Sequence, residues 1–204
     1  MFMVLHPTIQ EKCQKEILDK IGTRPPLMDD MPNLPFITAT LMEIQRIALV
    51  APGSLQHKLK SDTVVGNYTF RKGTQFFVNV CTHFFKKKSS ITFDLIWPFS
   101  YILFQLSKFM SDPNEFPNPE CFNPERFLEE NGKIKKFEQF VPFGIGKRIC
   151  MGMSLSQNEL FLFFVRIMQR ISFKESPMKK PNTNDVIFGI TRIPKPFTVN
   201  IILN

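Results

Sequence analysis

The residues best equipped for chemistry are crowded into one stretch, Pro142-Phe143-Gly144-Ile145-Gly146-Lys147-Arg148-Ile149-Cys150-Met151-Gly152. Cys150 stands directly before a helical pattern and two residues after Arg148, so its sulfur sits in positive potential that favours thiolate over thiol. Such a sulfur can be a nucleophile or a soft metal ligand. Gly144, Gly146 and Gly152 remove side chains around it, so that the backbone can approach something large and flat, and Phe143 can shield the sulfur from water. A nucleophilic cysteine needs a general base, and His6, His57 and His83 sit in no recognisable catalytic motif. A zinc site needs three or four Cys or His ligands at suitable spacing, and these are absent. A buried structural cysteine beside a glycine-rich turn is the third reading, but it leaves the joint order of Phe, Gly, Arg, Cys and Gly unexplained.

A second pair with chemical potential is Glu43 and Arg46, three residues apart, which on a helix project from one face and can form an ion pair. Taken alone, Glu-x-x-Arg is a common solvated pair. A third cluster, Pro124-Glu125-Arg126-Phe127, follows a Pro- and Asn-rich meander over residues 112–127.

The elements that must position these groups can be read from periodicity. Ile9, Cys13, Ile17 and Ile21 have the spacing of an amphipathic helix over residues 6–21, ended by Gly22, Pro25 and Pro26. A second helix starts near Asn33, a plausible cap with Pro35 in the first turn, and runs to about Leu49, where Pro52 and Gly53 close it. Residues 55–80 read as short antiparallel strands, with turns at Ser61-Asp62, Gly66-Asn67 and Lys72-Gly73. The strongest helix covers residues 153–170, with an apolar run from Leu160 to Val165 that predicts burial over most of its middle. The tail, residues 188–203, alternates as one or two strands around Pro194 and Pro196.

Composition bounds the rest. With 204 residues, 43% hydrophobic and 22% charged, the chain is neither disordered nor collagen-like, and it is long enough to bury a core. Phenylalanine is in excess, 23 residues against one Trp and two Tyr. The net charge of +8 is scattered except at residues 86–88 and 179–180, which suits a solvated surface and gives no nucleic-acid signature. Cys13, Cys81, Cys121 and Cys150 are widely spaced and read as free thiols in a reducing compartment. Neither a signal peptide nor an N-terminal anchor is recognisable, and the most membrane-like stretch, residues 95–104, is interrupted by Pro98.

The run from Phe143 to Gly152 resembles the haem-binding loop of the cytochrome P450 family, the haem-thiolate monooxygenases. The resemblance implies haem b as cofactor, Cys150 as the axial iron ligand and Arg148 on a haem propionate, with Phe143, Gly144, Gly146 and Gly152 completing the loop. Glu43 and Arg46 match the family's Glu-x-x-Arg helix, and Arg126 matches the arginine of a Pro-Glu-Arg-Phe turn that joins them as a structural triad. Residues 52–57 resemble the loop near the haem, His57 falling where microsomal members place a propionate-binding histidine. Phe188, Gly189 and Ile190 resemble the last substrate-contacting turn.

The implied fold is mainly α with small antiparallel β-sheets, the carboxy-terminal part of the cytochrome P450 fold, as one partial domain over residues 1–204. The implied parent activity is O2-dependent oxidation of a small apolar substrate with electrons from NADPH-cytochrome P450 reductase, at the cytoplasmic face of the endoplasmic reticulum membrane. The resemblance covers neither the membrane anchor nor the helix that delivers protons to bound oxygen, which sets up the alternative: a truncated, non-catalytic and cytoplasmic fragment with residual haem binding at most. Residues 80–105 interrupt the family pattern as a 26-residue insert holding the single Trp and five Phe. Valine codons begin with GT and Phe-Gln can be written TTTCAG, so a retained intron is the expected origin, with a genuine surface loop as the alternative. Either origin predicts a disordered or aggregation-prone segment.

Overall fold

A computed structural model of the chain describes residues 1–51, 57–79, 91–96, 99–105, 107–188 and 191–204. The described residues form the helices α1 (Phe2–Leu5), α2 (Pro7–Lys20), α3 (Pro35–Ala48), α4 (Ser107–Met110) and α5 (Met153–Arg170). The strands are β1 (His57–Lys58), β2 (Thr63–Val65), β3 (Tyr68–Phe70), β4 (Gln75–Asn79), β5 (Ile91–Ile96), β6 (Phe99–Gln105), β7 (Ile171–Glu175), β8 (Val186–Phe188), β9 (Arg192–Pro194) and β10 (Val199–Leu203). The chain divides into two compact units, Met1–Ala48 with Glu120–Ile187 and Ile193–Asn204, and Leu49–Pro119 with Phe188–Arg192.

The first unit holds a helical core. On α2 the predicted stripe is buried at Cys13, Ile17 and Ile21, and Pro7 opens the helix at a position where its missing N–H costs nothing. Gly22, at φ +63°, ends it in the left-handed conformation that favours glycine, donating its N–H to the Ile17 carbonyl. Ile37, Ala39 and Thr40 of α3 and Phe161, Val165 and Met168 of α5 complete the packing. A buried aromatic such as Phe161 contributes about 1.5–3 kcal/mol through its apolar area.

Two local expectations need correction, the cap of α3 and the burial of α5. The cap of α3 is not Asn33, which ends a 3-10 turn, Met28–Asn33; the first free amides of the helix, Phe36 and Ile37, donate instead to the Glu16 carboxylate of α2. The helix ends at Ala48, within one residue of the expected end, where Leu49 turns into the left-handed region at φ +42°. The middle of α5 is buried on one side only. Its neighbours α2 and α3 cover Phe161 and Val165, whereas Leu160, Phe163 and Ile167 are exposed, Phe163 by 67%.

The carbonyl end of α5 is closed by side chains. Asn204 donates to the Met168 carbonyl at 3.0 Å and Gln14 to the Met168 and Ile171 carbonyls at 3.3 and 3.1 Å, while Gln169 of the last turn ties the helix to the segment after α2 by donating to the Gly22 and Arg24 carbonyls at 2.9 Å. Strand β7 follows at once and pairs antiparallel with β10, Ile171 opposite Leu203. The tail is therefore strand on both sides of Pro196, as its alternation predicts.

In the second unit the strands follow the predicted turns. β2 and β3 form a hairpin across Gly66-Asn67, with Gly66 at φ +59° as such a tight turn requires. β1 pairs antiparallel with β4, His57 opposite Phe76. β6 lies parallel on the other edge of β4, and β5 antiparallel on β6, so the sheet order is β1-β4-β6-β5. Strands β5 and β6 come from the insert, where the sequence predicts disorder; their β-branched and aromatic content is that of strands. Residues 80–90, including Lys86 to Lys88, and Trp97 lie outside the described residues, as do residues 52–56, Gly189 and Ile190.

Candidate functional site

The site is built from a buried ionic anchor outward. One helical turn separates Glu43 from Arg46 on α3, and both side chains are sealed from solvent, at 0% and 2% exposure. The guanidinium meets the carboxylate as a fork, Nε to Oε2 at 2.7 Å and Nη2 to Oε1 at 3.0 Å. The third member arrives on the 3-10 turn Pro124–Phe127, where Asn123 caps the turn by accepting the Glu125 N–H and Arg126 donates Nε to Glu43 Oε1 at 3.1 Å. The Asn123 backbone N–H reaches the same oxygen at 2.9 Å, and Arg126 Nη2 donates to the Cys121 carbonyl at 3.1 Å. Glu43 thus accepts hydrogen bonds from Arg46, the Asn123 amide and Arg126. This satisfies the condition under which a buried ion pair is tolerated. The triad expected from Glu43, Arg46 and Arg126 is present. Asn123 was not predicted, although an Asn before Pro-Glu carries the ordinary signal of a turn cap.

From the triad the chain runs to the cysteine through aromatic packing. Phe127 is fully buried, with Phe137 and Phe140 edge-on to its ring at centroid distances of 5.3 and 5.1 Å. The Lys135 N–H donates to the Phe127 carbonyl, and the bridge between Leu128 and Ile134 closes the intervening turn. Val141 is buried and leads into Pro142 and Phe143.

The loop then doubles back on itself. The Cys150 N–H donates to the Phe143 carbonyl at 3.0 Å, the Ile149 N–H to the Gly146 carbonyl at 3.1 Å, and the Met153 N–H to the Cys150 carbonyl at 3.2 Å. Gly144 and Gly146 adopt φ of +80° and +70°, where an L side chain is strained, and a Cβ on either would meet nothing within 4 Å. Their role here is the turn itself, whereas the sequence reading assigns them to close approach. At Gly152 a Cβ would make ordinary contact with the Cys150 sulfur, at 3.9 Å, so this is the loop glycine nearest the sulfur. Cys150 and Arg148 are exposed immediately ahead of α5, and Phe143 is half-buried. His57 stands on β1 in the second unit.

The donor set bears on the implied cofactor. Among the described residues no group of three or more His, Cys, Asp or Glu could hold a metal ion, so Cys150 offers one ligand and no more. A single exposed sulfur, with a glycine two residues away, suits a metal whose remaining ligands come from a prosthetic group, as in haem. By contrast Cys13, at the interface of α2 and α3, is buried with its sulfur 3.5 Å from Thr40 Oγ1, and burial pushes its thiol up to about 12.

The sequence profile described as Cytochrome P450 matches residues 1–84 and 100–201. Cytochrome P450 2B15 of Rattus norvegicus is 36% identical over 205 residues, covering 99% of this chain and 36% of the rat protein. Cytochrome P450 2U1 of Homo sapiens is 36% identical over 98% of this chain and 32% of its own length. The 3-ketosteroid oxygenase of Caenorhabditis elegans is 34% identical over 98% of this chain and 31% of its own. The solved structure titled "Zebra fish cytochrome P450 another structure with Abiraterone" superposes with a TM-score of 0.77 at 32% identity, covering all of this chain and 42% of the fish protein. The chain spans about a third of the length of these curated relatives. The fold is accordingly the mainly α, small-sheet architecture of this part of those enzymes, and with the profile and the relatives running along nearly its whole length, the chain belongs to the cytochrome P450 family.

Proposed function

We propose that this chain carries the haem-ligating part of a haem-thiolate monooxygenase, and that the 204 residues on their own bind haem without completing the oxygenation. The observation that carries the reading is Cys150, an exposed sulfur on a loop whose own amide is pinned to the Phe143 carbonyl just ahead of α5. With haem bound, Cys150 would be the iron ligand and Arg148 would meet a propionate, Gly144 and Gly146 would shape the loop, Gly152 would leave room beside the sulfur, and Phe143, whose carbonyl holds the Cys150 amide, would stand next to it. Glu43, Arg46 and Arg126 hold the loop from behind. When bound, thiolate-ligated haem supplies O2 activation for insertion of one oxygen atom into an apolar substrate. The name of the C. elegans relative, a ketosteroid oxygenase, is in keeping with an apolar substrate.

The reading without catalysis is favoured for the isolated chain by its coverage of about a third of each relative. For the full-length protein the partner is NADPH-cytochrome P450 reductase and the location the cytoplasmic face of the endoplasmic reticulum membrane. Among the described residues no helix is long and apolar enough to cross a membrane. Residues 80–105 are read as an insert of intronic origin; the family match breaks over residues 85–99, inside that segment. Sequencing the mature transcript tests it, and a message that encodes these residues refutes it.

Titrating the 204-residue chain with haem tests the functional reading. Saturable uptake that Cys150→Ala weakens at least tenfold is the expected result; equal uptake by the variant removes Cys150 from the site.

A further inference from the structure

Glu16 lies on α2, far in sequence from every motif described above, and it is half-buried against the start of α3. Its two carboxylate oxygens each take one N–H of the first turn of α3, Oε1 from Phe36 at 3.0 Å and Oε2 from Ile37 at 2.9 Å. These are orphan amides that no intrahelical partner can satisfy, and a carboxylate there is also favoured by the helix dipole. A second link runs beside it, from the Cys13 sulfur to Thr40 Oγ1 at 3.5 Å. Thr40 in turn bonds the Phe36 carbonyl at 2.8 Å, so the same turn of α3 is held twice. Burial raises the Glu16 carboxyl above its ordinary range, and the two amides oppose that shift without cancelling it.

The position of α3 matters because the helix is a rigid rod with a rise of about 1.5 Å per residue. Whatever fixes its first turn along the axis also fixes Glu43 and Arg46 at its far end. Glu43 receives Asn123 and Arg126, Phe127 packs on Phe137 and Phe140, and that segment leads through Val141 to the Phe143 carbonyl that holds Cys150. Every step lies within the first unit.

We propose that Glu16 is a positioning residue for the cysteine loop, setting the axial position of α3 and through it the Glu43–Arg126 anchor. The proposal rests on the reading of Cys150 as the haem ligand only where haem is the readout; the anchor arm stands without it.

The test uses the 204-residue chain and its variants Glu16→Ala and Glu16→Gln, the latter keeping one acceptor and so folding if the former does not. Glu11→Gln, an exposed carboxylate of the same helix, is the control. Amide hydrogen exchange by NMR reads the apo chain. The expected result is exchange about tenfold faster at Phe36 and Ile37, the loss usual for a removed cap, together with faster exchange at Asn123, whose acceptor is Glu43. The haem arm reads the carbon-monoxide difference spectrum of the reduced, loaded chain, in which the thiolate-type fraction falls in the order wild type, Glu16→Gln, Glu16→Ala. Faster exchange confined to Phe36 and Ile37, with Asn123 and the thiolate fraction unchanged, reduces Glu16 to a local cap and overturns the proposal. Absence of haem uptake by the wild type refutes the haem reading alone, and the Asn123 amide then decides the role of Glu16.

Discussion

The two ends of the path from Glu43 to Cys150 are held in opposite ways. Glu43 is sealed in protein and takes hydrogen bonds from two guanidinium groups and a backbone amide, spanning up to 83 residues of sequence. Cys150 stands in solvent on a turn closed by backbone hydrogen bonds between near neighbours. The contrast teaches that the chain invests its strongest tertiary interactions in the support and leaves the reacting atom exposed, as a ligand must be if a large group is to reach it. Damage at the support should therefore appear as lost stability, and damage at the cysteine as lost ligation.

The largest effect is expected at Glu43. Glu43→Gln leaves two arginines facing an uncharged amide in a buried site, a change worth about 3–5 kcal/mol of unfolding free energy. Denaturant melts of the two chains measure it, and a loss under about 1 kcal/mol would mean that the anchor is open to water.

Next comes the contrast between thiols. Raising Cys13 to about 12 from its ordinary value cuts its thiolate fraction by roughly a thousandfold. Peptide mapping after brief alkylation of the native chain should show Cys121 and Cys150, both exposed, labelled before Cys13. Labelling of Cys13 at a comparable rate would show that α2 opens readily.

These outcomes bear on how much was readable in advance. The helices Pro7–Lys20, Pro35–Ala48 and Met153–Arg170 follow from local apolar spacing and are found within about two residues of expectation, because the same stripes that define them are what they bury. The pairing of Glu43 with Arg46 is likewise local. Arg126 could be joined to them only by family resemblance, since no local rule connects residues 83 apart. Glu16 carried no signal at all: its partners are backbone amides of another helix, which have no side-chain identity to read. The exposed flank of α5 escaped for the converse reason, because an apolar run shows that burial is wanted without showing on which side the neighbours lie.

A smaller effect separates the two kinds of loop glycine. Gly146→Ala places an L side chain at φ +70° and should cost about 1 kcal/mol, whereas Gly152→Ala, at an ordinary φ of −86°, should be near neutral in stability and should instead perturb whatever binds at the sulfur 3.9 Å from the new methyl. Thermal melts and haem titrations of the two variants separate these effects, and equal behaviour would erase the distinction between turn and approach.

The smallest expected effect is the pH response of His6, whose ring packs on Phe122 at 4.8 Å. Burial holds its pKa below the ordinary value, so its contribution is complete above the ordinary histidine range and is lost as the pH falls through the lowered value. His6→Leu should flatten stability against pH on that acid side, and an unchanged profile would show that the ring is solvated.

The most direct measurement is the carbon-monoxide difference spectrum of the reduced, haem-loaded 204-residue chain beside that of Cys150→Ser. A thiolate-type Soret band in the wild type, lost in the variant while both melt alike, is the predicted result. A band of the same type in both chains would contradict the assignment of Cys150 as the iron ligand.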